Sequence, residues 1–205
     1  MILNFLFNIG LLSSLIFGWY KLYNNIFSYE NNYKIRGNYV SFSHSVVSCV
    51  GSCLYLNTDY FYNLNLLYGL LLFSSSYFIW DLIFLFKNTN KLSDFYMYIY
   101  HHLITILLLL LAYNSEHSYE YMNLFHLGEL SNFFNYIVYH LIKSKYSIVF
   151  TSLIKFVQLV WFSYIRIYLL LFIGYKYSKI FNNILFVIIL WSIYMLGIVW
   201  CIKQY

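Results

Sequence analysis

The stretch Phe95–Tyr113, FYMYIYHHLITILLLLLAY, decides the fold. It holds no Asp, Glu, Lys or Arg, and its second half is an almost unbroken run of Leu and Ile. A helix rises ~1.5 Å per residue and crosses the ~30 Å hydrocarbon layer of a bilayer in about 20 residues, so this stretch is long enough to span one. Six more apolar segments lie around it. Ile2–Tyr20, Tyr39–Asn57 and Leu64–Phe86 come before; Tyr119–Ile142, Ile148–Gly174 and Ile180–Ile202 come after. Of the 205 residues 62% are apolar and 9% charged, whereas a soluble domain carries roughly a quarter charged residues. So few charges cannot cover a water-exposed surface of this size, and lipid is the solvent that remains. The chain therefore reads as an all-α polytopic membrane protein with seven transmembrane helices. The N-terminal run has no basic stretch ahead of it and is longer than a secretory signal core, so it is read as the first span.

Loop charges sort by this count. Lys21, Lys34, Arg36, Lys87, Lys91, Lys143, Lys145 and Lys203 fall on one side of the membrane; Lys176 and Lys179 fall on the other. The positive-inside tendency places the richer side in the cytosol, with the N-terminus lumenal and the C-terminus cytosolic. The net charge of +5 is scattered singly, which argues against nucleic acid as a partner. Lysines at span ends are read as interfacial anchors, and His117 and His140 as unremarkable residues near span ends. Cys49, Cys53 and Cys201 give no disulfide framework. Ser41, Ser45, Cys49 and Ser52 recur about once per turn, a seam that lets another helix come close.

Ionisable residues inside spans carry the most information, because hydrocarbon penalises each one. The candidates are His44, Asp81, His101, His102, His126, Glu129, Lys155 and Arg166. His44, Asp81, the paired histidines and Lys155 all fall ~8–11 Å below the cytosolic boundary. His126 and Glu129 fall nearer the midplane, three residues apart on one face, where a direct hydrogen bond can form. Arg166 falls in the half away from the cytosol. His101 and His102 point about 100° apart, so one can face a cavity while the other bonds a neighbouring helix. Thr105 shares a face with His101. Two readings stand side by side. One is a chamber in which a histidine acts as base or nucleophile, oriented by Asp81 and His44. The other is a structural network that specifies helix packing. The histidine spacings lack the HxxHH or HxxxH clustering of intramembrane metal sites, and no metal is expected.

Five stretches, in order, resemble the TLC domain. They are VSFSHSVVSCVG with His44, SSYFIWDLIF with Asp81, YIYHHLITI with His101 and His102, FHLGELSNFF with Glu129, and FSYIRIYLL with Arg166. That domain is shared by the translocating-chain-associating membrane protein, the Lag-type ceramide synthases and small TLC-domain-containing proteins, and the short architecture is most similar to the last group. The similarity runs over Tyr39–Ile202. It implies a first helix and cytosolic loop over residues 1–38, then a TLC domain over residues 39–205 whose six helices form a barrel-like core, in the endoplasmic reticulum. What it implies for function is the binding or handling of lipids or acyl chains in membrane lipid homeostasis. The ceramide synthase branch implies an alternative, an N- or O-acyltransferase with acyl-CoA as co-substrate and no other cofactor, using His101, His102, Asp81 and His44. A third alternative is a non-catalytic cargo or translocation factor. Cavity or lipid-binding candidates are His126, Glu129, Ser131, Asn132, Lys155, Arg166 and Thr105. The chain departs from the family in two places. Leu127 and Leu130 stand where the synthases carry acids. Phe133 and Val138 stand where small members carry Pro and Arg, so neither that kink nor that charge is expected.

Overall fold

The computed structural model describes residues 2–57, 60–88, 92–180 and 184–204, and all of its regular structure is helical. α1 (Ile2–Lys21) runs into a π-helical turn at Leu22–Ile26; α2 is Tyr33–Asn57, α3 Tyr60–Asn88 and α4 Leu92–Asn114. α5 (Ser118–Ser131) and α6 (Phe133–Lys143) are two halves of one broken rod. α7 (Ile148–Ser163) continues through a π-helical segment, Tyr164–Leu169, into α8 (Leu170–Ser178), and α9 is Ile184–Gln204. Among the described residues this makes seven rods. Five stretches are long and apolar enough to cross a membrane: Tyr33–Asn57, Leu64–Asn88, Tyr96–Asn114, Ile148–Ser178 and Ile184–Ile202. The chain is a multi-pass membrane protein.

Two segments expected as spans differ from these five. α1 is a 20-residue helix, but the side chains of residues 1–7 lie outside the described residues. The fifth expected span is interrupted at Asn132, leaving helices of 14 and 11 residues, each too short to cross ~30 Å alone. α2 also begins at Tyr33, earlier than the expected Tyr39, so Lys34 and Arg36 belong to its first turn rather than to a loop. Lys91 lies outside the described residues.

Neighbouring rods close into a ring, α2–α3–α4–α9–α7–α6 and back to α2. α1 packs outside it, against α3. α5 fills the ring at one end, touching α2, α4, α8 and the π-segment of the α7 rod. That end holds the apolar core, with Leu67, Leu109, Met122, Leu124 and Phe186 almost fully buried. At the other end, α6 leaves the axis of α5 to join the wall, and the ring is hollow.

The break between α5 and α6 was not expected, because Phe133 replaces the proline that would have signalled it. Polar groups replace proline here. A helix break frees backbone carbonyls that lipid cannot solvate, and three of them here accept from side chains. The guanidinium of Arg166 donates to the Gly128 carbonyl at 3.0 Å and to Ser131 Oγ at 2.7 Å. Trp161 Nε1 donates to the Leu130 carbonyl at 3.0 Å, and Ser45 Oγ to that of Glu129 at 3.1 Å. Arg166 can reach the break because it sits on the π-helical segment, whose extra residue per turn re-aims the side chain. The guanidinium lies between the rings of Phe162 and Trp200, at 5.8 and 5.9 Å. Gly197 makes room: a methyl there would stand 3.3 Å from Arg166 Cβ.

Arg166→Ala therefore removes two charge-assisted bonds at the break and leaves the Gly128 carbonyl to Ser131 Oγ alone, at an expected cost of about 1.5–3 kcal/mol. Thermal unfolding in detergent should drop, and hydrogen exchange should accelerate mainly around residues 128–136. Unchanged exchange at the break would show that Arg166 does not hold it.

Candidate functional site

The hollow end of the ring is a cavity of about 930 Å³. Its walls come from the first half of α2, the second half of α3, the start of α4, the last turn of α5, α6, the middle of α7 and Trp200 of α9. It lies at the end of the bundle that carries Lys34, Lys87 and Lys143. Its lining is unusually polar for the interior of a membrane bundle. Asn38, Asn88, Asn132, Asn135 and Gln158 contribute carboxamides, and His44, His101, His102, Asp81 and Glu129 contribute titratable groups.

α3 and α4 are antiparallel neighbours, which brings Asp81 level with His102. His102 Nε2 lies 2.8 Å from Asp81 Oδ2, with both side chains largely buried. An ionised carboxylate only accepts, so Nε2 carries the hydrogen of that bond. The His102 ring stacks on Phe78 at 4.9 Å. His101 turns the other way, its ring edge-on to Trp200 at 4.8 Å. Both histidines line the cavity; the division of labour expected from their angular offset is not one of inside against outside.

His44 forms a second cluster on the same wall. Its Nε2 is 3.0 Å from Ser48 Oγ, which lies 3.2 Å from Ser74 Oγ. Its Nδ1 is 3.7 Å from Glu129 Oε2. The ring is fully buried and lies parallel to Tyr77, with centroids 3.9 Å apart. Trp19 of α1 completes the seat. It reaches between α2 and α3, donates from Nε1 to Ser76 Oγ at 2.9 Å, and sets its ring 6.0 Å from His44 in an edge contact. α1 is thus a supporting element of the site. Trp19 was not singled out in the sequence because a tryptophan near a span end reads as an interfacial anchor.

The remaining candidates divide. Glu129, Asn132 and Lys155 line the cavity. Asn132 does so because the helix break occurs at it. Arg166 and Ser131 stand just behind that wall, bonded to each other. Arg166 lies close to the cavity wall, its guanidinium 5.9 Å from the ring of Trp200. His126 turns away from Glu129 and pairs Nδ1 with Ser52 Oγ at 2.8 Å. Thr105 bonds the His101 carbonyl of its own helix at 2.8 Å. Neither His126 nor Thr105 is among the cavity-lining residues. Residues the sequence reading passed over add to the wall. Gln158 Nε2 donates to Asn135 Oδ1 at 2.7 Å, joining α7 to α6, and Asn38 Nδ2 donates to the Tyr136 carbonyl at 2.9 Å, joining α2 to α6. Among the described residues no three His, Cys, Asp or Glu side chains converge in the manner of a metal site.

A multi-pass helical protein with a polar chamber sunk into one end of the bundle is the class these features define. The model of the TLC domain family matches residues 9–204, and the chain belongs to that family. The match takes in most of α1 as well as the ring. Comparison with curated proteins and with solved structures finds no match.

Trp19→Ala removes a large buried ring and is expected to cost about 3–5 kcal/mol, while releasing His44. Trp19→Phe keeps an aromatic ring and loses the bond to Ser76. In protein labelled with ¹⁵N at histidine, both variants should shift and broaden the His44 ring signals while those of His126 stay in place. A His44 signal indifferent to Trp19 would rule out this seat.

Proposed function

We propose that this protein handles membrane lipids, taking the polar head of a lipid into the cavity from the end that carries the basic loops. The observation that carries the reading is the cavity itself. A polar chamber of this volume inside a membrane bundle has the size of a small-molecule site, and lipid is the solute most concentrated around it. Apolar wall residues such as Phe84, Leu85, Val138 and Ile142 offer contact for the first part of an acyl chain. Membership of the TLC domain family supports a role in lipid metabolism or homeostasis. We take the closed ring of rods as the barrel-like core of the family. We place the protein in the endoplasmic reticulum, with its N-terminus lumenal and its C-terminus cytosolic.

His102 and Asp81 favour a second reading, acyl transfer from acyl-CoA. An imidazole held by a carboxylate at one nitrogen is set to act as a base at the other. In this scheme His102 takes the proton from a lipid amine or hydroxyl as that group attacks the thioester carbonyl. The C–S bond breaks, CoA leaves as thiolate, and the proton passes from His102 to it. His101 and His44 flank the reacting groups, and Lys155 offsets the charge of the oxyanion.

Mass spectrometry of the protein purified in mild detergent should show bound lipid in stoichiometric amount. A protein free of lipid, with no loss of fold, would sink the first reading. Radiolabelled acyl-CoA should pass label to a lipid amine or hydroxyl under the second. His102→Ala should reduce that transfer by about 100-fold or more. Full transfer by the variant would exclude His102 as the base.

The orientation has its own test. Cysteines introduced at Lys87 and Lys143 should react with an impermeant maleimide from the cytosolic face only. Labelling from the lumen would reverse the topology.

A further inference from the structure

We propose that the cavity selects its ligand by a hydrogen-bond donor in the polar head, an amine or a hydroxyl, received at Nδ1 of His102. The inference rests on the reading of the cavity as a lipid-head site and names the chemistry the head must carry.

Asp81 fixes the proton of His102. Its carboxylate accepts from Nε2 at 2.8 Å, and a neutral imidazole has one N–H only. With the imidazole neutral, Nδ1 is then a bare lone pair. It is buried and meets no hydrogen-bond partner in the protein, although the ring lines the cavity and the residue is 4% exposed. A buried acceptor without a donor is costly and calls for an occupant. The protein does not supply one. On one side the ring is covered by Phe78, whose face is stacked against it; His101 and Tyr98 lie further off, with ring centroids at 5.4 and 6.5 Å. The ring itself lines the chamber.

The same wall repeats the pattern. His44 Nδ1 is also buried and unpartnered, held 3.7 Å from Glu129 Oε2, too far for a hydrogen bond. Glu129 is itself buried, at 3% exposure. The wall thus offers two acceptors, the His102 lone pair and the Glu129 carboxylate. An amine with several N–H groups, or a head with vicinal hydroxyls, suits such a wall. A quaternary ammonium head has no N–H and leaves the His102 lone pair unpaired.

Three diacyl phospholipids with identical chains make the test: phosphatidylethanolamine carries the amine, phosphatidylglycerol the hydroxyls, and phosphatidylcholine neither. The full chain, reconstituted with an equimolar mixture, is re-extracted in mild detergent and its retained lipids are counted by native mass spectrometry. Wild type should retain the ethanolamine or glycerol lipid about tenfold over the choline lipid, and which of the two wins assigns amine or hydroxyl. His102→Phe is the decisive variant. It keeps a ring against Phe78 and removes the acceptor, and its preference should fall to near unity. Should His102→Phe fail to fold, His102→Leu removes the same acceptor with a smaller side chain and should lose the preference as well. Equal retention of all three lipids by wild type overturns the inference and leaves lipid binding standing. So does a preference that survives either variant. Wild type that retains no lipid at all overturns both.

Discussion

Hydrocarbon cannot solvate a carbonyl, a hydroxyl or a charge, and that one constraint organises this bundle. The polar groups inside its spans are numerous for a chain so apolar, and most meet a partner on another rod. Serines of α2 bond to α3 and α5. α3 and α4 are joined by Asp81 and His102, and α6 and α7 by Asn135 and Gln158. Apolar packing between helices and lipid is nearly indifferent to register, since tails are as apolar as leucine. The polar pairs are what set the rods at fixed depths and rotations.

The most consequential of these links joins two irregularities. A π-helical segment in the α7 rod and a break in the α5–α6 rod lie opposite each other, and Arg166 of the first donates into the second. Each defect alone would expose backbone groups to lipid. The guanidinium carried by the first supplies donors to the second. The result is geometric: α5 stays on the bundle axis and plugs one end, while α6 leaves it and becomes wall. The cavity exists because α6 moved aside. Trp200 then carries this arrangement upward, touching Arg166 on one side and His101 on the other.

The fold class was legible because span length and charge scarcity are one-dimensional properties. Depth was legible for the same reason: counting residues from span ends brought His44, Asp81, His101, His102 and Lys155 to one level, and all five line one cavity. Rotation about the helix axis was not legible, because it depends on the partner. His126 and Glu129 share a helix face by spacing, yet His126 answers to Ser52 on α2. Thr105 folds back on its own turn. The helix break was missed because proline, its ordinary signal, is absent, and its actual cause lies 34 positions away from Asn132 in Arg166. Trp19 was missed because its contact with His44 is made by a helix that reads, in sequence, as a separate addition.

Whether the buried polar groups serve packing alone or also a ligand turns on which atoms remain unpaired. Five buried side-chain atoms lack a partner among the described residues: Ser75 Oγ, Thr151 Oγ1, and Nδ1 of His44, His102 and His140. The two hydroxyls can rotate toward a carbonyl of the preceding turn, as several serines here do. His140 lies in the last turn of α6, near the interface, where water is close. His44 and His102 have neither remedy. Their rings are clamped by stacking on Tyr77 and Phe78 and by bonds at Nε2, so Nδ1 cannot turn away. A network selected only for packing would have no reason to hold two imidazoles in this way, each with its second nitrogen bare and both on the wall of the same chamber. The rigidity of the clamps and the unpaired nitrogens belong together, and they support the proposed reading of this wall as a site preorganised for a ligand from outside the chain.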